Sequence, residues 1–258
     1  MERMECNAKA ETAPVKSLVQ VLFEGSGCKF AYFNDRFDLQ VGDIVFVEGK
    51  MEGQRGRVVS VNKTFKIKVS AYKRVISVAQ HNVKGSFCLC GSHLISFERN
   101  VLPYEKVLTW LAPPTPADEE YVSVSDGETF LLDDLTEMEI DHAVAERGIQ
   151  YYRKNRVSFL EVDGSSCRAI VEGTHPYEVE FSYEDGEIGN LTCSCFCAYA
   201  CKHEFAVMLQ LQETLGLIEK WYGGRFTETG YFAAVSCSLF FSVATAGQRK
   251  GIIEVDIE

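Results

Sequence analysis

Short runs in which apolar and polar residues alternate fill the first part of the chain: VKSLVQVLF from Val15, then CKFAYFN, DIVFVEG, GRVVSVN and FKIKVSAYKRV. Alternation puts every second side chain on one face of a strand, so each run predicts a half-buried β-strand. Gly25 to Gly27, Gly42-Asp43, Gly49 and Gly53 to Gly56 separate the runs. Short strands with tight glycine turns predict a small antiparallel β-barrel. SFCLCGSHLISFE also alternates, like a buried strand, and Leu102 to Trp110 reads as a short helix entered at Pro103. Further on the period changes. Ile140 to Arg156 is helical in pattern, with Ala143, Val144, Ile149 and Tyr151 or Tyr152 available for burial. EFAVMLQLQETLGLIEKW carries apolar residues at 205, 208, 209, 215 and 218, near helical spacing, and Gly223-Gly224 signals its end. Two last runs, YFAAVSCSLFFSVATAG and GIIEVDIE, with turn residues between Gly247 and Gly251, read as a β-hairpin that must be covered because its middle is apolar on both faces.

Charge divides the 258 residues unevenly. Residues 1–112 hold 16 Lys and Arg against 11 Asp and Glu, a net of +5; residues 113–258 hold the remaining 10 against 26, a net of −16. Between them lies Pro113-Pro114-Thr-Pro116, and from Asp118 to Asp141 there are ten acidic residues and no basic one. Such a stretch reads as a solvated, self-repelling spacer, or as an internal mimic of nucleic acid. On the basic side, Lys50, Arg55, Arg57, Lys63, Lys66, Lys68, Lys73 and Arg74 stand against one acid, Glu52. In FKIKV the two lysines alternate with Phe65, Ile67 and Val69, so both point outward. A basic face with Phe65 and Tyr72 nearby suits a phosphate backbone. A lysine-rich edge strand kept soluble by its charge is the competing reading.

The densest chemistry is TCSCFCAYACKH, residues 192–203, with four cysteines and a histidine in eleven positions. As ligands it reads Cys193-x-Cys195, five residues, Cys201-x-His203. Thiolate and imidazole are what Zn²⁺ takes in closed tetrahedral sites. Two cysteines two apart on a strand share a side, and the loop lets Cys201 and His203 return at the head of the following helix. Cys197 continues the alternation and is a possible substitute ligand. With four protein ligands no coordinated water is left to activate, so one structural zinc ion is expected and not a catalytic one. Cys88, Cys90 and His93 form a second thiol and imidazole group that lacks a local fourth ligand; core residues or a second metal site are the two readings.

The pattern C-x-C, a short gap, then C-K-H before an apolar helix resembles the SWIM zinc finger. ERGIQYYRKNRVSFLEVDGSSCRAIVEGTHPYEVEFSYEDGEI is similar to the helix and strands that lead into that finger, so the resemblance covers roughly residues 139 to 222. It implies a nucleic-acid-binding or protein-interaction module of the kind found beside helicase-type ATPases or transposases. VGDIVFVEGKMEGQRGRVVSV resembles the strand-turn-strand of KOW or Tudor-like, SH3-like barrels, which bind RNA, DNA or protein tails.

Phosphate-loop, nucleophile-elbow and His-Glu-x-x-His motifs are all lacking. The expectation is therefore a non-enzymatic, soluble, cytoplasmic α+β protein, with no membrane span and no small-molecule substrate. Its parts are a tail (1–14), a basic β-barrel (15–112), a Pro-rich acidic linker (113–138), a ββα SWIM-like finger domain (139–224) and a C-terminal β-hairpin (225–258). It is expected to bind nucleic acid through the barrel face and the finger, as an accessory to a DNA- or RNA-processing machine. The alternative is a protein–protein adaptor whose acidic finger domain and terminal hairpin dock on a partner such as a helicase-type ATPase.

Overall fold

The alternation in VKSLVQVLF carries into β1 (Ser17–Phe23), where Ser17, Val19, Val21 and Phe23 are buried. The computed structural model describes residues 16–113, 122–125, 127–197, 199–244 and 253–257, and two compact units divide the chain between Val78 and Ala79. In the first unit β1 is followed by β2 (Cys28–Asn34), β3 (Ile44–Val47), β4 (Gly56–Asn62) and β5 (Val75–Val78). They pair antiparallel in the order β2-β1-β4-β3-β5. Val19, Val21, Phe23, Tyr32, Val45, Val58 and Val75 form the core beneath them.

This sheet is open, which corrects the expected barrel and the KOW or Tudor-like resemblance with it. Its ends are β2 and β5, and the single bridge between Phe33 and Arg74 is isolated and extends into no ladder. Paired length is what is missing. FKIKVSAYKRV was expected to be one long strand, but residues 65–68 have no regular structure, a 3-10 turn occupies Val69–Ala71, and β5 begins only at Val75. With β5 only four residues long, that edge offers too few backbone groups to pair along β2 and close the sheet.

The second unit is built on a nine-stranded sheet. Its elements in chain order are β6 (Val83–Cys90), β7 (His93–Ser96), α1 (Tyr104–Leu111), β8 (Phe130–Leu131), α2 (His142–Arg153), β9 (Val157–Asp163), β10 (Ser166–Glu172), β11 (Pro176–Glu184), β12 (Glu187–Cys193), α3 (Lys202–Thr229), β13 (Tyr231–Ser236), α4 (Cys237–Ala244) and β14 (Ile253–Ile257). The strand order is β14-β6-β7-β13-β9-β10-β11-β12-β8, with β14 parallel to β6 and the other pairs antiparallel. Residues 79–112, expected with the N-terminal strands, thus belong to this unit. Leu160 and Val162 of β9 join a core with Phe205, Met208 and Leu211 of α3. Phe159, one residue before Leu160, meets Tyr104 of α1 on the other face, where Phe87, Trp110 and Phe240 also pack.

Two further expectations are corrected here. The C-terminal segment is no hairpin: Ser236 Oγ accepts from the Leu239 amide at 3.3 Å and caps α4, turning a run too apolar to alternate into a strand and then a helix. The turn assigned to 247–251 lies outside the described residues, as do the tail 1–14 and most of the proline-rich stretch. And α3 does not stop at Gly223-Gly224. It continues to Thr229 through a non-helical Tyr222 and ends at left-handed Gly230, because Phe226 still has Phe232 to pack against at 5.6 Å.

Glycine inside a helix costs about 1 kcal/mol relative to alanine, so Gly148 in α2 calls for a packing reason. A Cβ there would lie 2.9 Å from Phe205 Cδ1 and 3.1 Å from the Lys202 carbonyl, so its absence lets α2 lie against the head of α3. Gly148→Val is expected to destabilise the protein by about 1–3 kcal/mol, measured as a lower urea midpoint.

His93 supplies a pH-dependent contribution. Its Nε2–H donates to the Val157 carbonyl at 2.8 Å and Nδ1 accepts from Ser92 Oγ at 3.1 Å. Burial holds its pKa below the ordinary 6.5, against the opposing pull of that carbonyl. The folded imidazole therefore refuses a proton that the unfolded one accepts, and stability present above about pH 6.5 is lost as the pH falls. The difference in Tm between pH 7 and pH 5 is expected to shrink in a His93→Asn variant.

Candidate metal centre

β12 delivers the first ligand. Cys193 is its last residue, opposite Val179 of β11. The pairing runs one step further, with the Ser194 amide donating to the Glu178 carbonyl at 2.9 Å and Ser194 Oγ accepting from the Glu178 amide at 2.9 Å. That clamp fixes the direction in which Cys193 and Cys195 leave the sheet.

The second pair comes from the head of α3. Cys201 is its N-cap, where serine or threonine is the usual residue: its sulfur accepts from the Glu204 amide at 3.4 Å, and Glu204 Oε2 accepts from the Cys201 amide at 2.6 Å. The sulfur thus sits at the positive end of a long helix, a position that favours a thiolate. His203, two residues on, is buried and stacked on Tyr177 with ring centroids 4.2 Å apart; Tyr151 of α2 meets it edge-on at 5.4 Å. The two rings fix the imidazole plane, so Nδ1 lies 3.7 Å from both Cys193 Sγ and Cys201 Sγ.

The ligand atoms of Cys193, Cys195, Cys201 and His203 all lie within 4.8 Å of one another. Cysteine and histidine in that grouping can hold a metal ion, and among the described residues it is the one such group. His203 Nε2 is buried with no hydrogen-bond partner. Burial, with Lys202 adding to it, holds the imidazole down to about pKa 4, so it is neutral and free to ligate at neutral pH. Burial pushes the Cys195 thiol up to about 12, and a hydrogen bond with Cys193 together with burial drives Cys201 well above the ordinary thiol range. Cys195 and Cys201 therefore resist ionising until a cation compensates them, and binding one releases protons.

Four expected ligands are therefore brought together, and Cys197, the possible substitute, is exposed and outside the group. Cys88, Cys90 and His93 form no such group. Both cysteines are buried, burial raises Cys90 to about 12, Cys88 Sγ accepts from Arg225 at 3.5 Å, and His93 is spent on the contacts above.

The eight basic residues between Lys50 and Arg74 are dispersed. Arg57 pairs with Glu24 at 2.9 Å, Lys63 lies 3.7 Å from Asp38, and Arg74 pairs with Asp35 while lying over the Phe33 ring. Arg55 is half-buried, and Lys73 lays its stem beside Gly49. Lys50, Lys66 and Lys68 remain exposed, the last two on an irregular segment and not on a strand face. Sequence reading missed the neutralising acids because they come from outside the 50–74 window, and it missed Tyr151 and Tyr177, for which the chain offers no local signal. Glu204 had one: Cys201-x-x-Glu204 is a capping box with cysteine in the serine position.

No family model, curated protein or solved structure matches the chain. The SWIM-type resemblance is corrected accordingly; its ligand cluster remains, and the family assignment does not. Among the described residues no helix is long and apolar enough to cross a membrane.

Cys197→Ser is expected to retain one bound metal per chain by elemental analysis, whereas Cys195→Ser and His203→Asn each lose it.

Proposed function

We propose that the chain is a non-enzymatic zinc-binding protein in which one structural Zn²⁺ is held by Cys193, Cys195, Cys201 and His203, and whose partner is nucleic acid. The observation that carries the reading is the convergence of three sulfurs and a buried, neutral imidazole from a strand end and a helix head. Zn–S bonds of about 2.3 Å and Zn–N bonds of about 2.0–2.1 Å at a tetrahedral angle separate sulfur from nitrogen by about 3.6 Å. Both Nδ1 to Sγ spacings at His203 are 3.7 Å. Four protein ligands leave no open position, which favours a structural over a catalytic ion. The ion joins β12 to α3 across the loop, so its binding free energy is folding free energy for this corner of the unit.

For the partner, the support is the exposed cations of the first unit, Lys50, Lys66 and Lys68, with Arg55, Arg57, Lys63, Lys73 and Arg74 on the same unit. Contacts from such residues engage phosphates without reading bases. An accessory role in a larger DNA- or RNA-processing machine fits a chain with binding surfaces and no proposed chemistry of its own.

Purified protein is expected to carry stoichiometric zinc, and a strong chelator is expected to melt the head of α3, seen as lost helical circular dichroism. Affinity for DNA or RNA is expected to fall by an order of magnitude or more between about 50 and 200 mM salt. Zinc absent from the purified chain overturns the metal reading. Absence of nucleic-acid binding at low salt, with a stoichiometric protein co-purifying instead, overturns the partner reading in favour of an adaptor.

A further inference from the structure

The loop between Cys195 and Cys201 carries two large aromatic side chains that do no packing: Phe196 is fully exposed and Tyr199 is 89% exposed. Both ends of this loop are held by residues of the metal group. The two helices that meet at the metal group carry four cations at these ends, on a unit whose overall charge is strongly negative: Arg153 and Lys154 where α2 stops, Arg156 just after it, and Lys202 where α3 starts. Lys202 is the first residue of α3, and its Nζ lies 4.8 Å from the centre of the Tyr151 ring, the same ring that meets His203. Arg153 ends α2, and the chain then folds back through left-handed Asn155, so that the Arg156 amide donates to the Tyr151 carbonyl at 3.0 Å. Arg153, Lys154 and Arg156 are exposed, and none of the four cations pairs with a carboxylate among the described residues.

Helix electrostatics accounts for part of this set. A cation at the end of α2 faces the negative pole of its helix, which explains Arg153 and Lys154. It does not explain Arg156, which lies beyond the helix, and it runs against Lys202, which sits at a positive helix end where acids are favoured. Exposed Phe196 is likewise without a stabilising role in the chain, since burial and not exposure is what lowers the free energy of an aromatic ring.

We propose that this corner, formed by Phe196 and Tyr199 with Arg153, Lys154, Arg156 and Lys202, is a contact site for single-stranded nucleic acid. It rests on the nucleic-acid reading above but uses residues of the other unit. Cations track the phosphates, and exposed rings stack on bases that a duplex keeps covered. The metal group sets the separation of the loop ends and so presents the two rings.

The test uses the full zinc-loaded chain and fluorescein-labelled single-stranded DNA and RNA, with the matching duplex as a second probe, followed by fluorescence anisotropy. A Phe196→Ser, Tyr199→Ser double variant, checked for unchanged zinc content, is expected to lose about tenfold to a hundredfold in single-strand affinity and much less in duplex affinity. A Lys154→Glu, Arg156→Glu variant, whose substitutions lie outside the metal loop, is expected to lose single-strand affinity and to show a shallower salt dependence. Wild-type binding of single strands by both variants, together with loss of binding in a Lys66→Glu, Lys68→Glu variant, overturns this inference and leaves the nucleic-acid reading standing. Failure of the unaltered protein to bind either probe at low salt overturns both.

Discussion

Three sulfurs and an imidazole nitrogen confined within 4.8 Å are a constraint the larger unit satisfies only with help. Cys195 and Cys201 lose solvation and resist ionising, and the imidazole buries its Nε2 with nothing to bond. A dipositive ion held by the sulfurs and His203 Nδ1 offsets the cost at the thiols, because it replaces the lost hydration and neutralises the thiolates it creates. Around that point the local architecture is arranged: the β11–β12 pairing that extends to Ser194, the cap that starts α3, and the two tyrosines that hold the histidine plane.

Cys201 links this constraint to secondary structure. As an N-cap its sulfur satisfies one orphan amide of α3, and Glu204 returns the favour by accepting from the Cys201 amide. As part of the cluster the same sulfur faces the other ligands. Helix initiation and cluster geometry therefore share an atom, and the helix head cannot move without opening the cluster. Gly148 extends the coupling to α2, since only a residue without a Cβ lets that helix lie against Lys202 and Phe205 and bring Tyr151 to the histidine.

Charge is distributed differently in space than along the chain. Eight cations in a 25-residue window look like one basic face, yet Glu24, Asp35 and Asp38 reach three of them from neighbouring segments. Conversely, the larger unit is acidic in sum but carries Arg153, Lys154 and Arg156 where α2 ends and Lys202 where α3 begins, and the approach of the two helices sets Lys202 over the Tyr151 ring. Net charge describes neither surface.

The sequence alone determined what depends on neighbours close along the chain. Alternation in VKSLVQVLF marked β1 and its inward residues, the spacing of Cys193, Cys195, Cys201 and His203 marked the cluster, and helical periodicity marked α2 and the start of α3. These are set by side-chain direction within one element and need no partner to be read. Tertiary structure decided whatever depends on pairing between distant segments. FKIKV alternates as a strand does, but no neighbour offers it backbone hydrogen bonds, so the first sheet stays open. The terminal apolar run breaks into β13 and α4, because β7 and β9 flank the strand half while the other half packs Phe240 onto Phe87 and Trp110. Residues 83–96 join the larger sheet for the same reason: a strand goes where unpaired backbone groups and an apolar face await it, and a single chain segment carries no record of where those lie.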